Sequence, residues 1–358
     1  MNCFRQPWNL ITVAVLCASV SGCSTVKFYS QAIQGQREIL IKARPVDVVL
    51  RDKEVPRETK RKLTLAEEAR SFASRQLLLP AERNYDRYTD LGRPYVSWVV
   101  YAAPEFSVEG KTWWYPLLGK LAYRGYFSKA DADGEAARLK ALGYEAYVGG
   151  VEAYSTLGWF RDPVLNTFLR RSGPDLAELI FHELTHVRLF LAGDTDFNEA
   201  FATANAESGV RRWLSSRGDR RGLASYDAAL QKDREIIRLL LATREELKHL
   251  YARTSQATVE RRRMKAAVFA RMKDKYARIR RQWRGDSRYD REFAKPWNNA
   301  RLNTVATYYD LVPGFERLLK VHQGDLRSFY AAVEKIGGMR KASRQALLRD
   351  PMTGERDN

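Results

Sequence analysis

His182-Glu183-Leu184-Thr185-His186 constrains this chain more than any other segment, because it asks for one helix that carries both imidazoles on one face. Residues four apart on an α-helix lie about one turn apart, so the two rings can reach a single metal ion. The glutamate between them faces a neighbouring side and can hold the water that such an ion activates. The surrounding window, Asp175–Ala192, has the apolar spacing of a helix, with Pro174 and Asp175 suited to its first turn and Gly193 to its end. The chain holds only 4 histidines, so a pair framed in this way is unlike a random scatter. The expectation is Zn2+ bound by His182 and His186, with Glu183 as general base.

A catalytic zinc ion takes a third protein ligand and leaves a position for water. Gly193–Thr203 reads as the opening of a second helix, with Asp196 or Asn198 as its expected cap. It carries Asn198-Glu199-Ala200-Phe201-Ala202, and the two segments together resemble the gluzincin metallopeptidases. In that family H-E-x-x-H is followed by a helix bearing N-E-x-x-A or N-E-G-F-A, whose glutamate is the third ligand. The resemblance implies a ligand set of His182, His186 and Glu199. The spacing departs from the family: residues 187–198 make a shorter connection than in thermolysin-like and aminopeptidase N-like enzymes. Glu207 would match the longer spacing better. Eight residues of helix span about 12 Å, so Glu199 and Glu207 cannot share one ion. The local motif favours Glu199 and leaves Glu207 as the alternative.

Ala153–Pro163, His182–Trp213, Asn298–Leu302 with Tyr308, and Val312–Phe315 are similar to a narrower family, bacterial lipoproteins described as predicted aminopeptidases. That likeness extends over nearly the whole mature chain and implies a zinc hydrolase acting on peptides. It also brings Tyr308 and Tyr309 near the site. Related peptidases use a tyrosine or histidine to stabilise the oxyanion, and Tyr308 is the candidate here. An exopeptidase further needs a carboxylate for the substrate's α-amine. Glu152 stands in sequence where the anchor of aminopeptidase N stands, although the Gly-Ala-Met-Glu-Asn signature around that anchor is absent. His249 and His322 read as surface histidines.

The N-terminus reads as a lipoprotein signal peptide over residues 1–22: Arg5, an apolar core from Leu10 to Val20, then the lipobox Val20-Ser21-Gly22-Cys23. Cleavage there would leave Cys23 lipidated, anchoring the chain to the membrane on the periplasmic side of a bacterial cell envelope, with the outer membrane favoured by Ser24. Cys3 and Cys17 would leave with the signal, so no disulfide is expected in the remaining single domain, 23–358. The net charge of +18 would suggest nucleic acid in a cytoplasmic protein; behind a lipobox, no nucleic acid is expected. The basic residues concentrate at Arg261–Arg284, where Met264, Val268, Met272, Tyr276 and Ile279 recur at helical spacing. That helix is either a solvated outer face or a contact for an anionic envelope surface.

Helical segments are expected within 24–90, strands at Tyr95–Tyr101, Trp113–Phe127 and Tyr144–Val148, and a helix at Ser128–Leu142. Tyr154–Phe160 is the candidate edge strand for substrate, which makes Tyr154 a candidate binding residue. The zinc helices occupy 174–215, a long α-hairpin 225–285, and further helices 296–345. The fold class is therefore α+β, predominantly α-helical, with a zincin-like catalytic unit whose small sheet lies at 91–160. The competing reading is a non-catalytic envelope lipoprotein of the same fold that binds anionic cell-wall or lipid surfaces. Glu183 argues against it, since a structural zinc site has no use for a carboxylate beside its ligand.

Overall fold

Helices supply most of the framework in this computed structural model, which describes residues 23–115, 119–153, 156, 159–253 and 257–350, apart from the side chains of 23–27 and 306–308. Helix α1 (Cys23–Lys42) leads to a two-residue strand β1 (Arg44–Pro45) and a short α2 (Val46–Arg51). Helix α3 (Arg57–Leu77) follows Pro56, whose fixed φ suits a helix start, and stops at Leu78 in left-handed geometry, φ 56°. Strand β2 (Arg87–Thr89) pairs antiparallel with β1.

The main sheet comes next. Its centre is β3 (Ser97–Pro104); β4 (Trp113–Tyr115) and β5 (Gly119–Leu121) form a separate antiparallel pair, and β6 (Arg124–Tyr126) returns along β3. Helix α4 (Lys129–Ala141) is capped by Ser128, whose hydroxyl accepts the Asp131 N–H, and it lays Ala132, Ala136 and Leu139 on the sheet. Gly143, at φ 83°, turns the chain into β7 (Tyr144–Val151), antiparallel to β3 with Val100 opposite Val148. The sheet order β6-β3-β7 leaves β7 on an edge. The small strand β8 (Val164–Leu165) pairs parallel with β2.

Helices α5 (Gly173–Arg188) and α6 (Thr195–Ser216) pack against each other at the centre. The core face of α5, with Leu176, Ala177, Ile180, Phe181 and Leu184, joins α3's Leu63, Ala66, Ala69, Ala73 and Leu77 in the largest apolar cluster. Alanines on α3 and Gly209 on α6 permit that closeness: a Cβ at Gly209 would lie 2.8 Å from Leu77 and 2.9 Å from Phe181. Helices α7 (Arg220–Tyr251) and α8 (Thr258–Gln282) build a second cluster through Ile236, Leu240, Leu247, Val268, Met272 and Tyr276. The chain closes with α9 (Asp290–Ala294), α10 (Asn299–Tyr309), α11 (Val312–Val321), α12 (Leu326–Gly337) and α13 (Lys341–Arg349). The result is a mostly helical α+β protein with small sheets. No helix among the described residues is long and apolar enough to cross a membrane.

Four sequence expectations are corrected. The first zinc-motif helix ends at Arg188, short of Ala192, because Leu189 turns extended and the amide of Asn198 takes both polar groups of Leu191, its N–H at 2.8 Å and its C=O at 2.9 Å. The cap of α6 is Asp194; Asp196 and Asn198 stand in its first turn. Helix α7 starts at Arg220, earlier than Tyr226, because the Asp219 carboxylate accepts the Gly222 N–H. The main sheet has β6 and β7 at its edges; of the expected edge strand Tyr154–Phe160, Thr156, Trp159 and Phe160 are not in a strand, and Tyr154, Ser155, Leu157 and Gly158 lie outside the described residues. Asp162 accepts the Thr156 N–H and hydroxyl at 2.8 and 2.7 Å, and the Phe160 N–H donates to Thr156 Oγ1 at 3.1 Å, bonds made to side chains instead of a neighbouring strand.

Candidate metal centre

Helix α5 presents Glu178, His182 and His186, four residues apart, to a cleft of about 680 Å³ that β3, β6 and β7 wall on the other side. Glu199, one turn into α6, faces the same space. His182 Nε2 lies 3.2 Å from Glu199 Oε2 and 3.2 Å from His186 Nε2, and His186 Nε2 lies 3.6 Å from Glu199 Oε2. These three residues form the one group among the described residues that could hold a metal ion. The spacing fits zinc: with bonds of about 2.0–2.2 Å, the edges of a tetrahedron are about 3.3–3.6 Å. Two imidazole nitrogens and a carboxylate oxygen also match the donor set zinc takes. His186 Nδ1 is buried and finds no hydrogen-bond partner among the described residues.

Charge in the centre is strongly coupled. Burial opposes ionisation of Glu199, but the imidazoles of His186 and His182 outweigh it and hold its carboxyl down at about 2. Burial likewise opposes the His186 imidazolium, and the Glu199 carboxylate more than compensates, raising it. Glu183 lines the cleft beside them; burial first, then Glu199 and Asp162, push its carboxyl up against the two histidines. Glu183 is half-buried, and no hydrogen bond ties its carboxylate to another described residue.

The α5–α6 pair is held by buried polar contacts. Asn205 donates to Thr185 Oγ1 at 2.8 Å and accepts from Tyr330 at 3.2 Å. Asp194, fully buried at the start of α6, is held by Arg344 at 2.6 Å and Lys341 at 3.1 Å, both from α13. Asn198, immediately before Glu199, clamps the α5–α6 connection through Leu191. Asn198 is legible in sequence as part of the Asn-Glu-Ala-Phe-Ala motif and as a cap candidate; its clamp depends on a loop conformation that no local pattern encodes.

The remaining candidates separate. Glu207 turns away to Arg234 on α7, 2.7 Å distant, and is no part of the metal group. Glu152, just past β7, lines the cleft with its carboxylate paired to Arg171 at 2.7 Å. Tyr154 and the side chains of Tyr308 and Cys23 lie outside the described residues. Tyr309 lines the cleft at the Glu178 end. Glu178 accepts from Tyr226 at 2.7 Å, and burial, offset in part by that bond, raises its carboxyl to about 7. His249 and His322 lie outside the metal group. In the basic run, Val268, Met272 and Tyr276 are buried, with Met264 and Ile279 against them. Arg262, Arg263, Lys265, Arg271 and Arg280 there are each paired with a carboxylate.

A family model described as "Putative aminopeptidase" matches residues 27–348 of the chain. No curated protein and no solved structure matched it.

Proposed function

The chain belongs to that aminopeptidase family, and from this premise we propose that it is a zinc-dependent peptidase that removes residues from the N-termini of peptides. One observation carries the reading: two histidines and a glutamate converge at ligand spacing in a cleft that also holds the carboxylate of Glu183. Zinc bound by His182, His186 and Glu199 would supply a Lewis acid for the peptide carbonyl and lower the pKa of water. Glu183 takes one proton from the attacking water as its oxygen bonds to the carbonyl carbon, and delivers that proton to the amide nitrogen as the C–N bond breaks. A free amine and a carboxylic acid result. The open edge of β7 along the cleft suits an extended peptide, whose backbone can continue the sheet. Glu152 is a candidate for the substrate's α-amine, competing there with Arg171.

The test uses purified protein, its metal content, and a mixed peptide library. One zinc per chain is expected, lost in His182→Ala and His186→Ala. Glu183→Gln keeps the metal and loses turnover; hydrolysis surviving in that variant excludes the mechanism. The location belongs to the proposal as well. The lipobox ending at Cys23 supports a lipid anchor on the periplasmic side of the envelope. The cations of Arg261–Arg284 that are not engaged by carboxylates support contact with anionic head groups.

A further inference from the structure

A peptidase of this kind needs a hydrogen-bond donor for the charge that grows on the carbonyl oxygen as water adds, and the β5–β6 turn offers one. Residues alternate along this ribbon: Leu121 and Tyr123 line the metal cleft, while Lys120 and Ala122 line a separate hollow on the other side. The ribbon is seated on the connection between the two ligand-bearing helices. Gly119 (φ 74°) meets Gly193 (φ 80°) so closely that a Cβ on Gly119 would lie 2.9 Å from the Gly193 nitrogen. Only glycine meets both demands, of left-handed backbone and of close approach. The ring of Tyr123 then rests against Tyr101 of β3, centroids 5.7 Å apart.

We infer that Tyr123 is a catalytic residue, its hydroxyl donating to the carbonyl oxygen of the bound substrate as that oxygen becomes negative. The inference rests on the peptidase reading above. Tyr123 is half-buried and lines the cleft, and no hydrogen bond ties its side chain to another described residue. Burial, then the negative charges of Glu199 and Glu183, keep the phenol protonated and a donor. Tyr123 lines the same cleft as His182, Glu183, His186 and Glu199, and the charges of Glu199 and Glu183 act on it. This reading takes the donor from the sheet that precedes the metal helices; the side chain of Tyr308, the candidate from sequence likeness, lies outside the described residues.

Zinc-loaded wild type and Tyr123→Phe should be compared in zinc content, in kcat and KM on one peptide, and in affinity for a phosphinic peptide. The phosphinic group presents a tetrahedral centre with a charged oxygen. The variant should keep its zinc and its KM, lose about 100-fold or more in kcat, and bind the phosphinic peptide correspondingly less tightly. If kcat and phosphinic affinity stay within about twofold of wild type, or KM alone rises, the assignment is overturned while the peptidase reading stands. A wild type that neither cleaves peptides nor binds the phosphinic ligand overturns both.

Discussion

Arg344→Met tests how Glu199, the proposed third ligand, is held in place. Asp194 begins α6 with 0% of its surface exposed, and Arg344 on α13 meets its Oδ2 at 2.6 Å through Nη2 and at 2.7 Å through Nε. The same guanidinium donates to the carbonyl of Met339 at 2.7 Å, which ties α13 to the end of α12. Removing one partner of a buried pair costs about 3–5 kcal/mol, because the other charge stays desolvated. Lys341, still 3.1 Å from Asp194, keeps the expected loss at the lower end, about 3 kcal/mol. Asp194→Asn should cost a similar amount, since the amide oxygen leaves Arg344 a neutral acceptor but removes the negative charge that compensates it. The double variant should cost less than the sum of the singles by about 2 kcal/mol. Denaturant unfolding of chelator-treated protein measures all four corners, with shifted midpoints at unchanged m-values. Zinc affinity provides the second readout: a loosened α6 start should weaken binding, because Glu199 lies just over one turn downstream. Additivity within about 0.5 kcal/mol would refute the reasoning, leaving Asp194 and Arg344 energetically independent.

Glu178 gives a pH signature. Its carboxyl is raised from 4.5 to about 7, so the folded state binds more protons than the unfolded between those values and stability falls as pH rises through that window. Glu178→Gln should remove up to about 3 kcal/mol of that decline, read as the difference in unfolding free energy between variant and wild type at pH 4 and pH 8; a difference that does not change with pH contradicts it. Cys23→Ser should abolish membrane association that survives a high-salt wash, since unlipidated basic helices offer only attraction that ions screen over about 10 Å at 0.1 M. A washed membrane fraction that still holds this variant would place the anchor elsewhere.

Local chemistry explains what was legible beforehand. His182 and His186 could be placed on one face because helical periodicity alone sets their relation. Ser128 and Gly143 announced the two ends of α4 because a cap and a left-handed stop act within a few residues. The extent of α5 was misjudged for the opposite reason. Leu189–Ala192 has helical composition, and what ends the helix is Asn198, folded back from the next element onto Leu191. Asp194 gives no local sign of its role because its partners lie 147 and 150 positions away, on α13.

The same distinction separates ligands from the groups that act around them. Metal ligands crowd into short motifs, since two helices can deliver three donors with little help from the rest of the chain. The donors and clamps are instead brought in by tertiary contacts, and the signal they leave in the sequence is indirect. At Tyr123 the signal is Gly119: a glycine two strand positions before Leu121, unremarked in sequence, becomes meaningful only once Gly193 is seen against it. Gly193 itself carried a local meaning, the end of a helix, and the structure gives it another as the platform for the ribbon above the metal group. The pair links the sheet to the α5–α6 connection at one point of backbone contact. A side chain at Gly119 would therefore push against the α5–α6 connection, which ties the ribbon that carries Tyr123 to the helices that carry the candidate metal group.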